Sequence, residues 1–163
     1  MKLIVADAGP LIIFGKTCGI GVIRAVVDEI LVPPAVVAEC TDQRGMPGAI
    51  AIRKAINDGW LTVLDAVPVS GAGQDLLLLD DGEKEAIAAA QTRQCPVLMD
   101  EAIGRSVAKK LGVQTIGSLG ILLAAKQRGA IPAVAPIIED WRAAHYFLGE
   151  RLVAELLHRA GEA

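Results

Sequence analysis

The sequence predicts an α/β fold with a central, mainly parallel sheet of about five strands. Five short apolar segments alternate along the chain with segments of helical character. Short apolar runs bounded by turn residues are typical of strands buried on both faces. Their alternation with helices of about 8 to 14 residues indicates a doubly wound parallel sheet. The predicted strands are LIVAD (3–7), EILV (29–32), WLTVL (60–64), PVLM (96–99) and VQTI (113–116).

Helix starts and stops follow these strands. Pro10 stands near the start of GPLIIFGKTCG and Gly19 near its end, and paired prolines open PPAVVAECT. Further helices are predicted in MPGAIAIRKAINDG, DDGEKEAIAAA, EAIGRSVAKKLG, GSLGILLAAKQRG, AVAPIIEDWRAA and LGERLVAELLHRA. The loop-like segment 67–75 is too short to separate domains. We therefore expect one domain over 1–163, with C-terminal helices from about residue 134 onward.

The composition favours an ordered protein with an aliphatic core. Of 163 residues, 53% are apolar and only 3% aromatic, and the net charge is −3. A strongly basic surface for nucleic acid is therefore not expected, and a polyanion site would have to be local or assisted by a cation. No apolar run approaches the roughly 18 residues of a membrane span, and a charge follows four apolar residues at the start, which is too short for a signal peptide.

The cysteines and histidines do not indicate a disulfide framework, a metal site or a catalytic triad. Three widely spaced cysteines without a CxxC motif indicate neither a disulfide framework nor a zinc site, and we expect a reducing cytoplasm. His145 and His158 have no neighbour suited to a metal pair or a triad, so we expect both on the surface. The chain has no GxxxxGK[ST] or GxSxG motif. A phosphatase of the DxDxT type is a weak alternative, because the first strand is followed by DAGPL.

Four acidic residues occupy equivalent positions in the predicted topology. Asp7 ends the first strand, Glu39 lies in the helix after the second, Glu83 lies in the first turn of DDGEKEAIAAA, and Asp100 ends the fourth strand. In a parallel α/β sheet, the carboxyl ends of the strands and the following helix starts share one edge, where ligands bind at the topological switch point. We therefore expect these four carboxylates to lie close together.

Each acid also has a purely structural interpretation. Asp80 and Glu83 fit a capping box, and Asp7 and Asp100 could cap the helices that follow them. Glu39 lies beyond the first turn of its helix, where a solvated face is the alternative. Capping does not explain four acids without neighbouring cations. Two carboxylates about 5 Å apart repel by about 3 kcal/mol at an effective dielectric of about 20, so such a cluster requires a divalent cation. Oxygen ligands alone favour Mg²⁺ or Mn²⁺.

These segments resemble PIN-domain proteins of the toxin (VapC-like) type, and within them the DUF3368 branch. VADAGPLI resembles the opening strand with its acid, and VPPAVVAEC resembles the PPxVxxE segment. DDGEKEAIAAA resembles the GExEAIxxA helix. The resemblance continues through VLMDEAIGRSVAKKLGVQTIGSLGILLAAKQRGAI, although Glu101 stands where the family has a second aspartate and the turn TRQC is one residue short.

The resemblance implies a three-layer α/β/α fold and an acidic pocket that binds Mg²⁺ or Mn²⁺ to hydrolyse phosphodiester bonds, usually of RNA. It makes Asp7 and Asp100 direct metal ligands, and Glu39 and Glu83 direct or water-mediated ones. For toxins it also implies a cognate antitoxin. The secondary metal candidates are Asp81 and Glu101.

Two further residues are candidates for contacts with substrate phosphate, namely Arg105 and Ser118. A solvated helix face and simple capping of GSLGILLAAK are their respective alternatives. A homodimer is expected because GIGVIRAVV and LGILLAA are very apolar and because PIN relatives are usually dimers. The rival interpretation of the whole protein is a non-catalytic PIN-like module that binds nucleic acid or protein, since no aromatic platform for stacking bases is evident.

Overall fold

A computed structural model of the chain describes residues 1–42, 44–70 and 74–163. In these ranges five strands form one sheet of order β3-β2-β1-β4-β5, and every pairing is parallel. The sheet therefore confirms the predicted fold class. The strands are β1 (Leu3–Ala6), β2 (Glu29–Val32), β3 (Thr62–Val63), β4 (Val97–Leu98) and β5 (Thr115–Ile116).

Helices cover the sheet and lie where the sequence predicts them, with two additions. The short helix α2 and a 3-10 helix at Gln74–Leu78 were not predicted. The latter falls in the predicted loop 67–75 and the leucine run after it; residues 71–73 of that loop lie outside the described part of the chain. The α-helices are α1 (Ala8–Lys16), α2 (Gly21–Arg24), α3 (Pro34–Thr41), α4 (Pro47–Asn57), α5 (Asp81–Arg93), α6 (Ala102–Lys110), α7 (Ser118–Gln127), α8 (Ala135–Ala143) and α9 (Glu150–Arg159).

The chain order places a topological switch point at β1. From β1 the chain builds outward through β2 to β3, then crosses to the opposite side of β1 to add β4 and β5. β1 is therefore central and pairs with Glu29–Leu31 on one side and with Val97 and Leu98 on the other. Crevices for ligands form where the strand order reverses. Asp7, the residue after β1, stands at that point.

The core is aliphatic, and it includes the segments that suggested a dimer. Ile4, Val5 and Ala6 of β1 are fully buried. The apolar side chains of GIGVIRAVV and LGILLAA are mostly buried inside the single chain, so the argument for a dimer from their apolarity is wrong. The core members from these two segments are Ile20, Ile23, Val26, Val27, Ile121, Leu122, Leu123 and Ala125.

The C-terminal helices are attached to the start of the fold by aromatic packing. Trp141 of α8 is 1% exposed and packs edge-on against Phe14 of α1, with ring centroids 5.3 Å apart. Its indole nitrogen donates a hydrogen bond of 3.0 Å to Thr17 Oγ1. This contact brings the segment after α8 to the carboxyl end of β1. In the part of the chain that the structure describes, no helix is long and apolar enough to cross a membrane.

Candidate functional site

Asp7 is the most buried acid of the site. It is 6% exposed, and its backbone amide donates to Leu98 O at 3.0 Å, which fixes it between β1 and β4. Asp7 occupies the N-cap position of α1, but its side chain makes no capping hydrogen bond. The alternative interpretation of Asp7 as a helix cap is therefore not supported.

The surroundings of Asp7 oppose its negative charge. Burial, together with the nearby carboxylates of Glu83, Asp80 and Glu39, raises its pKa from 3.8 to about 7, although the amide of Ala8 acts in the opposite direction. Burial is the largest of these causes. We call Asp7, Glu39, Asp80 and Glu83 the acidic group. Strong perturbation of a carboxyl pKa by burial and like charges is characteristic of functional sites.

Glu39 reaches the acidic group from α3 because a glycine faces it. A Cβ atom on Gly82 would lie only 3.0 Å from Glu39 Oε2, so the missing side chain leaves the space beside which the Glu39 carboxylate lies. Partial burial, followed by the charges of Asp80 and Glu83, raises the pKa of Glu39. Glu39 is the most solvent-accessible of the three predicted ligands in this group.

Asp80 and Glu83 form the capping box that the sequence suggested. The Glu83 amide donates to Asp80 Oδ1 at 2.8 Å, and the Asp80 amide donates to Glu83 Oε2 at 2.9 Å. Partial burial raises the pKa of Glu83, as do the charges of Asp80 and Glu101, while the bond from the Asp80 amide lowers it. The capping interpretation of Glu83 is therefore confirmed, and its other carboxylate oxygen lies toward Gly104 of α6. Its role as a metal ligand stays a prediction.

Asp100 caps a different helix from the one predicted. Glu101, not Asp100, is the N-cap residue of α6. Asp100 instead accepts hydrogen bonds at the start of α7, from Ser118 N to Oδ1 at 2.7 Å and from Ser118 Oγ to Oδ2 at 2.5 Å. The reason is topological, because β4 and β5 are parallel neighbours and the end of β4 faces the helix that follows β5.

A third donor to Asp100 was missed by the sequence analysis. Tyr146, in the segment between α8 and α9, donates its hydroxyl to Asp100 Oδ2. Burial, followed by the charge of Asp100, raises the pKa of Tyr146, so the phenol keeps its proton. Asp7 contributes to the same rise, which places the phenol near both aspartates. The available signal was that Tyr146 is the only tyrosine of the chain.

The remaining predicted residues have mixed outcomes. Asp81 is exposed and is not among the carboxylates that raise the pKa values of the other acids, whereas Asp80 is. Glu101 is exposed, and its negative charge contributes to the raised pKa of Glu83. Ser118 is fully buried and its hydroxyl is donated to Asp100, so the prediction that it contacts substrate phosphate is wrong. Arg105 donates to Met99 O at 3.0 Å.

Arg105 also lines an open groove of about 850 Å³ that begins at Asp100. The groove follows the outer strand β5 and continues between α7 and α9, where Arg159 and Glu155 line it. Its wall is partly apolar, with Leu148 and Leu152 among the lining residues. Arg105 is therefore the basic side chain next to Asp100 in this groove.

Glu85 and Cys40 lie near the acidic group but are not candidate metal ligands. Glu85 accepts the Ala35 amide at 2.7 Å and so satisfies the start of α3. Burial raises the pKa of the Cys40 thiol to about 12, and the negative charges of Glu39 and Asp7 contribute to this rise. Cys40 is therefore a neutral core residue and not a thiolate ligand.

A family comparison identifies this arrangement. A family model described as "PIN domain", DUF3368, matches residues 3–162. The chain belongs to this PIN-domain family. PIN domains are generally nucleases and generally use divalent metal ions. The predicted family is thus confirmed, while the VapC-like toxin type stays a prediction.

Solved structures similar to this PIN domain are distant in sequence. A PilT N-terminus domain protein from the archaeon Sulfolobus solfataricus P2 shares 17% identity with a TM-score of 0.44, over 77% of this chain and 93% of that one. A domain of a functionally unknown protein from Methanocaldococcus jannaschii DSM 2661 shares 21% identity with a TM-score of 0.47, over 72% and 91% of the two chains. No curated protein sequence matches this chain.

The donor set of this PIN domain fits a hard divalent cation by its chemistry. The acidic group offers carboxylate oxygens only, and none of the ion pairs among the described residues involves one of its members. Oxygen donors with excess negative charge are the ligands that Mg²⁺ and Mn²⁺ prefer. Over 1–42, 44–70 and 74–163, however, no three His, Cys, Asp or Glu side chains converge closely enough to form a metal-binding group. The acids of the group raise one another's pKa values but do not meet at ligand distance in this part of the chain.

Proposed function

We propose that this PIN domain is a Mg²⁺- or Mn²⁺-dependent endoribonuclease that hydrolyses phosphodiester bonds. The observation that carries the proposal is the burial of Asp7 at the topological switch point, with Glu39, Asp80 and Glu83 around it and no paired cation among the described residues. Carboxylates that lie close together repel one another and lower the stability of the folded state, so stability does not explain this group. Their placement at the ligand crevice of the sheet supports a catalytic purpose.

The acids of this chain would have different roles in such a site. A bound divalent cation would lower the pKa of a water ligand and polarise the phosphate. Asp7, the most buried acid, and Asp100 would hold the ion together with Glu39 and Glu83. Glu39 and Glu83 have raised pKa values and therefore accept a proton more readily than ordinary carboxylates. Glu39 is the more exposed and is the better placed to orient the attacking water.

The substrate side of the proposal rests on Arg105. The protein has a net charge of −3, so a polyanion needs local positive charge to approach the acids. Arg105 lines the groove that opens at Asp100, and its guanidinium is anchored by Met99 O. We propose that it contacts a phosphate of the RNA beside the scissile bond.

The biological setting is part of the same proposal. We propose that the protein acts in the cytoplasm and that, if it serves as a toxin, a cognate antitoxin binds and inhibits it. A homodimer also stays a prediction, which light scattering coupled to size-exclusion chromatography would test. The apolar segments that first suggested a dimer are inside the monomer and no longer support it.

A non-catalytic binding module is the second candidate function. It is favoured by the engagement of two predicted ligands with protein groups, since Glu83 caps α5 and Asp100 accepts hydrogen bonds from Ser118 and Tyr146. A module of this kind would bind RNA or protein without metal-dependent turnover. The two candidates therefore differ in one measurable property.

The deciding experiment is cleavage of a mixed pool of structured and single-stranded RNAs with Mn²⁺, Mg²⁺ or EDTA. Wild type is compared with Asp7→Asn and with Asp28→Asn, a control that makes the same change at an exposed position before β2, at the opposite edge of the sheet. We expect cleavage by wild type and by Asp28→Asn, only with metal, and none above background by Asp7→Asn. Cleavage that Asp7→Asn retains, or none by wild type, would favour the binding module.

A further inference from the structure

Asp100 is held unusually firmly for an acid at a candidate metal site. Its two oxygens accept three hydrogen bonds, one at Oδ1 from Ser118 N and two at Oδ2 from Ser118 Oγ and Tyr146 Oη. A carboxylate has about four lone-pair positions, two on each oxygen. Three of them are therefore occupied by the protein. The one that remains is on Oδ1.

Tyr146 donates to Asp100 from the segment between α8 and α9, whereas Ser118 lies at the start of α7, directly after β5. Its ring packs edge-on against Trp141, with centroids 5.7 Å apart, and Trp141 is in turn fixed to Phe14 and Thr17. The phenol thus reaches Asp100 from a rigid aromatic cluster. Its oxygen also lies near α1, because a Cβ on Gly9 would be 3.6 Å from it.

We infer that Tyr146 is a positioning residue that fixes the rotation of the Asp100 carboxylate and leaves only Oδ1 free to bind a cation, as a single-oxygen ligand. This inference rests on the proposed function. Groups that hydrogen-bond a ligating carboxylate orient it, and their removal typically weakens metal binding or activity about 10- to 100-fold. Without the phenol hydroxyl, Asp100 keeps only the two donors of Ser118 and loses its link to the aromatic cluster.

The test uses Tyr146→Phe, which removes the hydroxyl and leaves the ring on Trp141. The readout is the affinity for Mn²⁺ by isothermal titration calorimetry, with RNA cleavage measured in parallel. We expect the Kd for Mn²⁺ to rise about 10- to 100-fold. We also expect kcat to fall by a similar factor with little change in KM for RNA, because the phenol does not contact the substrate.

Thr17→Val is the matched control. It removes a hydroxyl from the same aromatic cluster, where Thr17 Oγ1 donates to Ile13 O and accepts from Trp141 Nε1, but Thr17 does not bond to Asp100. A purely structural role of the cluster would make both variants lower Tm and leave the Mn²⁺ affinity of both unchanged. We expect Thr17→Val to lower Tm while keeping the wild-type Kd for Mn²⁺.

The possible outcomes separate this inference from the proposed function. If wild type binds Mn²⁺ and cleaves RNA, and Tyr146→Phe does both equally well, the role of Tyr146 is refuted and the nuclease proposal stands. Equal weakening of Mn²⁺ binding in Tyr146→Phe and Thr17→Val would also refute a specific role. If wild type neither binds Mn²⁺ nor cleaves RNA, both proposals are overturned.

Discussion

Replacing Asp7 by asparagine is expected to stabilise the protein at neutral pH in the absence of divalent cations while abolishing cleavage. Asp7 is 6% exposed, its pKa is raised to about 7, and its carboxylate makes no capping hydrogen bond. Asparagine has nearly the same shape and is an equally good N-cap residue. It removes the charge that burial and the neighbouring acids oppose, so the folded state should gain free energy.

The size of the effect follows from the linkage between pKa and stability. Because the pKa rises from 3.8 in the unfolded chain to about 7 in the folded one, the folded state binds the proton more tightly between these values, and stability falls as the pH rises through this window. The full shift corresponds to about 4 kcal/mol above pH 7, which is an upper limit. Allowing for relaxation around the charge, we expect about 1 to 3 kcal/mol for Asp7→Asn.

The assay is thermal unfolding in EDTA at pH 8 and at pH 4. For a domain of this size, 1 kcal/mol shifts Tm by about 2 to 4 °C, so the variant should melt about 2 to 12 °C above wild type at pH 8. Near pH 4 the wild-type carboxyl is largely protonated, and the difference should nearly vanish. Asp28→Asn is the control and should show no such pattern.

Addition of Mn²⁺ should reverse the order. A ligand that binds only the folded state adds about 2.7 kcal/mol at 100 times its Kd, and this gain requires the Asp7 carboxylate in wild type. The reasoning is refuted if Asp7→Asn is less stable than wild type at pH 8 in EDTA, or if its advantage is the same at both pH values.

Three further predictions concern neighbours of the site and the C-terminal contact. Gly82→Ala places a Cβ 3.0 Å from Glu39 Oε2, so we expect a several-fold lower kcat for RNA cleavage with little change in Tm. Glu85→Gln weakens the bond to the Ala35 amide at the start of α3, and urea unfolding should show a loss of about 0.5 to 1 kcal/mol with unchanged kcat. Glu162→Gln should lower Tm at pH 7, because the Glu162 carboxylate accepts bonds from Lys126 and from two amides at the start of α8, which hold its pKa at about 2. That stabilisation is complete above the ordinary value of 4.5 and is lost as the pH falls through about 2, so the Tm values of wild type and Glu162→Gln should converge in acid.

Each of these predictions has an outcome that would contradict it. Full cleavage activity in Gly82→Ala would mean that Glu39 is not needed where the structure places it. A loss of cleavage in Glu85→Gln would assign that acid to the site and not to the helix start. A constant difference in Tm between wild type and Glu162→Gln from pH 7 to pH 2 would show that the carboxylate charge is not what holds α8.

Much of the fold follows from local sequence patterns. The segment LIVA forms β1, and a short run of apolar residues is typical of a strand that is covered on both faces. The position of Asp7 at the ligand crevice followed from the same reasoning, because the carboxyl ends of parallel strands share one edge. The capping box of Asp80 and Glu83 is also local, since both partners lie within one helical turn.

The rest of the site depends on contacts between residues far apart in the chain. The partners of Asp100 could not be predicted, because Ser118 and Tyr146 are 18 and 46 residues away and reach it through strand order and aromatic packing. The short turn TRQC has a similar explanation: Gln94 takes a left-handed conformation with φ 51° and ends α5 without a glycine. Sequence spacing gave no sign of either feature.

The bond between Tyr146 and Asp100 makes the site depend on chain segments that are synthesised far apart in time. Tyr146 follows Asp7 in the chain by most of the length of the fold. A chain still being extended on the ribosome would therefore display the early acids without the group that orients Asp100. If the proposed nuclease activity and the role of Tyr146 hold, the enzyme should be about 10- to 100-fold less active toward the RNAs of the ribosome that makes it until Tyr146 has packed against Trp141.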